Sequence, residues 1–187
     1  MREFVIYSRK GPTGEFNIKD LPGSGRVDLI ARSIISAMWI SHKLRDNQIH
    51  IVLNGPPEPP KTFTVTSSIK RVSPDERSIG IWMNKILQGK SNPGMSIAKK
   101  SFQDVIREKH SEGKNIFVLH ESGEKIENIA KEDFENAVFV IGDNLGIPEN
   151  DEKFALRYGR KVSIGPKSYL ASQCITFINI FLDKLQI

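Results

Sequence analysis

Apolar and polar residues alternate in Lys61–Ser67 (KTFTVTS), the period-two signature of a strand, and Arg2–Ser8 (REFVIYS) reads as another. Compact apolar runs at Ile49–Leu53, Asn115–His120, Ala137–Gly142 and Lys161–Gly165 read as further, more buried strands. Between them the period changes to three and four. Val27–Leu44 repeats at Ile30, Ile34, Ala37 and Met38, which predicts a helix with Ser24 as its cap. A Ser73-Pro74-Asp75-Glu76 turn opens a second helix that runs to about Leu87, and Ile97–His110 reads as a third. The last, Ser168–Leu185, places Leu170, Cys174, Phe177, Ile178, Phe181 and Leu185 on one stripe. Strands alternating with helices predict an α/β fold with a mainly parallel sheet. The chain carries no internal repeat, and its cluster Pro56, Pro57, Pro59, Pro60 is too short to separate two domains. At 187 residues, one domain spanning 1–187 is expected.

Three apolar strands in the last seventy residues run into glycine-bearing polar loops: Ile116–Gly123, Ala137–Pro148 and Lys161–Gln173. In an open parallel sheet, ligands bind beyond the carboxyl ends of the strands, where loop backbone is free to reach them. Three such endings are enough to wrap a cofactor. The loop Asp143-Asn144-Leu145-Gly146-Ile147-Pro148 stacks more polar, glycine and proline residues than a structural turn requires, which points to function.

Composition narrows the setting. A hydrophobic content of 39% and a charged content of 26% are ordinary for a globular protein. No basic-then-apolar leader opens the sequence and no apolar run is long enough to span a bilayer, so a cytosolic chain without a membrane partner is expected. Cys174 is the only cysteine, which suits a reducing compartment. His42, His50, His110 and His120 show no ligand spacing, so no metal is expected. The net charge of +5 is uneven: residues 1–60, 61–114 and 115–187 carry +2, +6 and −3. A basic middle suits a polyanion, and a pI near 9.3 favours nucleic acid over membrane.

Gly23-Ser24-Gly25-Arg26-Val27-Asp28 looks briefly like a dinucleotide fingerprint, but the third glycine is Asp28 and no strand immediately precedes it. A nucleotide-binding dehydrogenase is therefore set aside. What remains is a helix start with exposed backbone N–H groups and Arg26 at hand, a possible anion site. Asp28 and Arg32, four apart, equally make a plain surface ion pair. Cys174 is either a small core hydrophobe or a sulfur on a pocket wall.

Together, LPGSGRVDLIARSI (21–34), VLNGPPEPPKTF (52–63), SPDERSIGIWMNKIL (73–87), VFVIGDNLGIP (138–148) and IGPKSYLASQCITFINIFLD (164–183) resemble the SPOUT superfamily of methyltransferases, which use S-adenosylmethionine. Within it the closest likeness is to the archaeal family that methylates N1 of pseudouridine-54 in tRNA, and it covers nearly the whole chain. The ribosomal-RNA pseudouridine N1-methyltransferases are related, and a knotted RNA-binding or assembly protein without catalysis is the third alternative. The resemblance implies helices on both faces of the sheet, a C-terminal trefoil knot, and a homodimer packed through the knot. It places S-adenosylmethionine against Leu119, Gly142, Ile164, Gly165, Ser168, Tyr169, Leu170 and Cys174. Arg26 is the candidate cation for the uracil oxygens, and Asp28 the base or the group that aligns the base. Lys61, Lys70, Arg71 and Arg77 are the candidate contacts to tRNA phosphates.

Overall fold

A computed structural model describes all 187 residues. Seven strands form one sheet in the order β6-β5-β4-β1-β8-β7-β9. They are β1 (Arg2–Ser8), β4 (Asn47–Leu53), β5 (Lys61–Thr66), β6 (Met95–Ala98), β7 (Asn115–Lys125), β8 (Ala137–Gly142) and β9 (Gly159–Ser163). From β4 through β9 the neighbours are parallel, while β5 and β6 add as antiparallel strands at one edge. Two short strands, β2 (Trp39–Ile40) and β3 (Lys43–Leu44), pair separately as a hairpin.

The two-residue period of a strand decides which residues face which helices. Phe4 and Ile6 of β1, with Phe139 and Ile141 of β8, enter the larger of two cores; Val5, Tyr7, Val138 and Val140 enter the smaller. The larger core is closed by α1 (Val27–Met38), α2 (Glu76–Leu87) and α5 (Ala171–Lys184). The smaller is closed by α3 (Phe102–Ser111) and α4 (Glu149–Ala155). The mainly parallel sheet thus has helices on both faces. Phe4, Phe117, Phe134 and Phe139 stack through the larger core, and Phe134 meets Phe181 of α5 edge-on at 5.8 Å.

Several boundaries differ from the sequence reading. The first helix stops at Met38 rather than Leu44, because Trp39–Leu44 turns back on itself as the β2–β3 hairpin, with Ser41 at φ 49°. Its cap is Arg26, not Ser24, whose hydroxyl instead donates to the Asn17 carbonyl. Met95–Ala98 is a strand, and the third helix begins at Phe102 behind a reciprocal cap between Ser101 and Asp104. The last helix begins at Ala171, leaving residues 164–170 as loop. No helix is long and apolar enough to cross a membrane.

At the amino end of β1, Glu3 is 2% exposed and meets Lys109 of α3 at 2.9 Å and Lys114 at 2.7 Å. Burial pushes this carboxyl upward, but contacts with His50, Lys114 and Lys109 outweigh it and hold it well below the usual carboxylate range.

Candidate active site

The carboxyl ends of β1, β8, β7 and β9 surround a cavity of about 600 Å³. β1 leads through α1 to β4 on one side, while β8 lies on its other side, so the cavity sits where the strand order switches direction. Ile141, Val162 and Cys174 form a buried apolar wall, joined by Leu119 and Ile164. All eight residues expected to face a cofactor line this one cavity: Leu119, Gly142, Ile164, Gly165, Ser168, Tyr169, Leu170 and Cys174. The sequence reading missed Ile6, Ser8, Leu29, Ser33, Leu145 and Ile147, which also line it. The stacked loop 143–148 was the signal for the last two. Nothing local in the sequence marked the others.

The wall is built by close backbone approaches. A Cβ on Gly142 would lie 2.7 Å from Gly146 Cα and 2.8 Å from Ile147 N, so the glycine lets loop 143–147 fold back over the strand end. Asp143 fastens that loop. Its carboxylate accepts from Arg9 N at 2.7 Å and Leu145 N at 2.8 Å, and Arg9 Nε donates to the Gly146 carbonyl. Cys174 is 6% exposed, belongs to the core and also faces the cavity, so both readings of it hold. Burial raises its thiol to about 11, which leaves it a poor nucleophile.

Arg26 reaches the cavity from the start of α1. Gly25 fits at φ 77° with its missing Cβ only 2.0 Å from the Lys10 carbonyl oxygen. Arg26 follows at φ 62°, a conformation that costs energy in any residue with a Cβ. The loop before it is braced by buried Thr13, which bonds Gly55 O, Pro56 O and Glu58 N. The helix start is not the free anion site that its two glycines suggested. The N–H groups of Gly23, Ser24, Arg26 and Val27 are taken up by Asp20, Pro22 and Leu21.

Asp28 is 6% exposed, so its pairing is not a surface ornament. It grips Arg26 through Nε and a terminal nitrogen, both at 2.9 Å, and accepts from Arg32 at 2.6 Å. The Arg26 hydrogen bonds hold its carboxyl below the ordinary range despite burial. A carboxylate bound this way is a weak base and a strong anchor. Arg32 continues the chain of charges to Glu76 of α2 at 3.6 Å.

The four basic candidates lie outside the cavity and differ from one another. Lys61 is committed internally, to the Thr13 carbonyl at 2.9 Å and to Glu58 at 2.9 Å. Lys70, Arg71 and Arg77 are exposed and carry no ion pair, so their charge is available around the start of α2. No cluster of three His, Cys, Asp or Glu side chains is arranged to hold a metal.

The cavity suits S-adenosylmethionine. Its size lies within the common range for ligand pockets. Its apolar wall suits an adenine face, and residues of the Gly142–Ile147 and Ile164–Leu170 loops complete the lining. Comparison with known proteins points the same way. A relative from Methanococcus aeolicus, 45% identical over the full length of both chains, is named tRNA (pseudouridine(54)-N(1))-methyltransferase. The same name belongs to relatives from Methanocaldococcus jannaschii, 41% identical over 100% of this chain and 98% of its own, and Thermococcus onnurineus, 38% identical over 99% and 98%. Among solved structures, the Nep1 protein of Archaeoglobus fulgidus bound to S-adenosylhomocysteine shares the fold with a TM-score of 0.68 at 13% identity, over 99% of this chain and 98% of that one. The family model described as "Putative SAM-dependent RNA methyltransferase" matches residues 1–187, and the chain belongs to that family.

Proposed function

We propose that this protein transfers a methyl group from S-adenosylmethionine to N1 of pseudouridine-54 in the T-loop of tRNA. The observation that carries this reading is full-length identity of 38–45% to proteins bearing that name. The convergence of three glycine-bearing strand endings on one cavity supports it.

S-adenosylmethionine, when bound, supplies an electrophilic methyl on its sulfonium. Leu119, Gly142, Ile164, Gly165, Ser168, Tyr169, Leu170 and Cys174 hold it, and the closed-over loop 143–147 fixes its place. Positioning the target nitrogen in line supplies much of such a rate gain. Pseudouridine is joined to ribose through carbon, so its N1 carries a proton; as N1 takes the methyl, that proton would pass to solvent water and S-adenosylhomocysteine would be released. Arg26 stabilises the negative charge that then grows on the uracil oxygens. Asp28 grips Arg26, whose backbone is strained, and does not take the proton, since the Arg26 hydrogen bonds hold its carboxyl below the ordinary range and make it a weak base. Lys70, Arg71 and Arg77 contact tRNA phosphates, with Lys61 bracing the loop that presents Arg26.

Residues 1–187 act as one domain, in the cytoplasm, as a homodimer. Phe177 and Ile180 on α5, with Tyr169 and Leu170 at the cavity mouth, expose apolar surface that a second copy would cover. The C-terminal segment is threaded as a trefoil knot. Supporting this, β7 pairs with β9 twice, at Leu119 and again at Glu124, and the chain after it packs on α5 through Phe134.

The test is nucleoside mass spectrometry of tRNA and of a ribosomal-RNA fragment, each incubated with protein and S-adenosylmethionine. Methyl-pseudouridine in tRNA alone is the expected result. Methylation of the ribosomal fragment alone would move the substrate, and none in either would leave a binding protein.

A further inference from the structure

Two carboxylates and one cation on the cavity wall are already neutralised or spent. Arg26 is gripped by Asp28, Glu152 pairs with Lys161 at 2.7 Å, and Asp143 accepts from Arg9 N and Leu145 N. Two charges remain, and they are opposite in sign: Glu121 and Lys167 line the cavity, are exposed, and have no hydrogen-bond or ion-pair partner. The fold brings them to the same rim. Glu121 lies two residues past Leu119 and Lys167 five past Val162, and Leu119 pairs with Val162 across β7 and β9. They do not pair with each other, as two free opposite charges at one rim could.

We infer that Glu121 and Lys167 form the subsite for the α-amino acid end of the cofactor, Glu121 accepting from its ammonium and Lys167 pairing with its carboxylate. The inference rests on the reading of the cavity as an S-adenosylmethionine site. The chemistry divides accordingly: the buried Ile141, Val162 and Cys174 wall takes the uncharged adenosine, and the wet mouth takes the zwitterion, where desolvating two charges costs least.

The test is calorimetric binding of four compounds to full-length wild type, Glu121→Gln and Lys167→Met. The compounds are S-adenosylmethionine, S-adenosylhomocysteine, decarboxylated S-adenosylmethionine and methylthioadenosine. Pairs this exposed contribute modestly, so each variant should bind S-adenosylmethionine and S-adenosylhomocysteine roughly two- to five-fold more weakly. Lys167→Met should bind the decarboxylated compound like wild type, because its carboxylate partner is absent. Neither variant should change affinity for methylthioadenosine, which lacks the amino acid. Equal losses across all four compounds, or no losses, would overturn the subsite. So would a Glu121→Gln variant that binds normally but turns over slowly, which would make that carboxylate a base. Failure of wild type to bind any of the four would overturn the cofactor reading itself.

Discussion

At the residue scale, the proposed catalytic role rests on Arg26 and the carboxylate that holds it. A surface ion pair between Asp28 and Arg32 would have been expendable, but Asp28 is buried and bonded to two guanidinium groups. Arg26→Ala should lower single-turnover rate by about 10²–10³ while S-adenosylmethionine binding stays near wild type. Asp28→Asn should slow the reaction too, and should also cost about 1.5–3 kcal/mol of stability, the worth of hydrogen bonds to a charged group. Rates at saturating tRNA beside melting curves decide this; wild-type rates in both variants would send the catalytic role elsewhere. Gly142 makes a different claim. Its neighbours are the backbone of Gly146 and Ile147, so a side chain there displaces the loop before it meets any ligand. Overpacking of this kind costs about 1–3 kcal/mol. Gly142→Val should therefore weaken S-adenosylmethionine binding at least about ten-fold with the fold retained. Calorimetry reads the affinity and circular dichroism the fold.

Elements explain what the sequence could and could not show. Strands with alternating or solid apolar character, such as β1 and β8, were visible because both their faces are buried and each residue type follows from its core. So were the strand endings at Gly142 and Ile164, since glycine clusters after apolar runs are a local signal. The β2–β3 hairpin was not, because Met38, Trp39 and Ile40 continue the apolar spacing of the helix before them, and only pairing with Lys43 and Leu44 ends it. β6 was hidden for a related reason: four residues at a sheet edge gain strand character from β5, whose paired residues lie 30 to 36 positions away in sequence. The same long-range logic applies to Glu3, whose partners on and after α3 are invisible from β1. Glu3 also carries a pH signature. Its folded pKa lies below the unfolded value, so its contribution is complete above the ordinary glutamate pKa of about 4.3 and is lost as pH falls below it. Glu3→Gln should melt earlier than wild type at pH 7, since Lys109 loses a charged partner while 4% exposed. The difference should shrink toward pH 3. A gap constant across that range would remove Glu3 from the acid response.

On the scale of the whole molecule, different parts of the surface carry different demands. The basic middle third pairs Lys61, Lys100, Lys109 and Lys114 with carboxylates of the same chain, yet leaves Lys70, Arg71 and Arg77 free for a polyanion. The α5 surface instead exposes Phe177 at 37% and Ile180 at 49%. If a second copy covers it, Ile180→Glu should shift the protein from dimer to monomer in light scattering, with tRNA methylation falling alongside. A monomeric wild type would remove that interface. The identity of the target atom is tested most directly by one comparison. Two tRNA transcripts, identical except for pseudouridine or uridine at position 54, are incubated with the protein and S-adenosylmethionine and digested for mass spectrometry. Uridine has its N1 in the glycosidic bond, so only the pseudouridine transcript should gain one methyl group, at that nucleotide. Equal methylation of both transcripts would contradict N1 of pseudouridine as the acceptor.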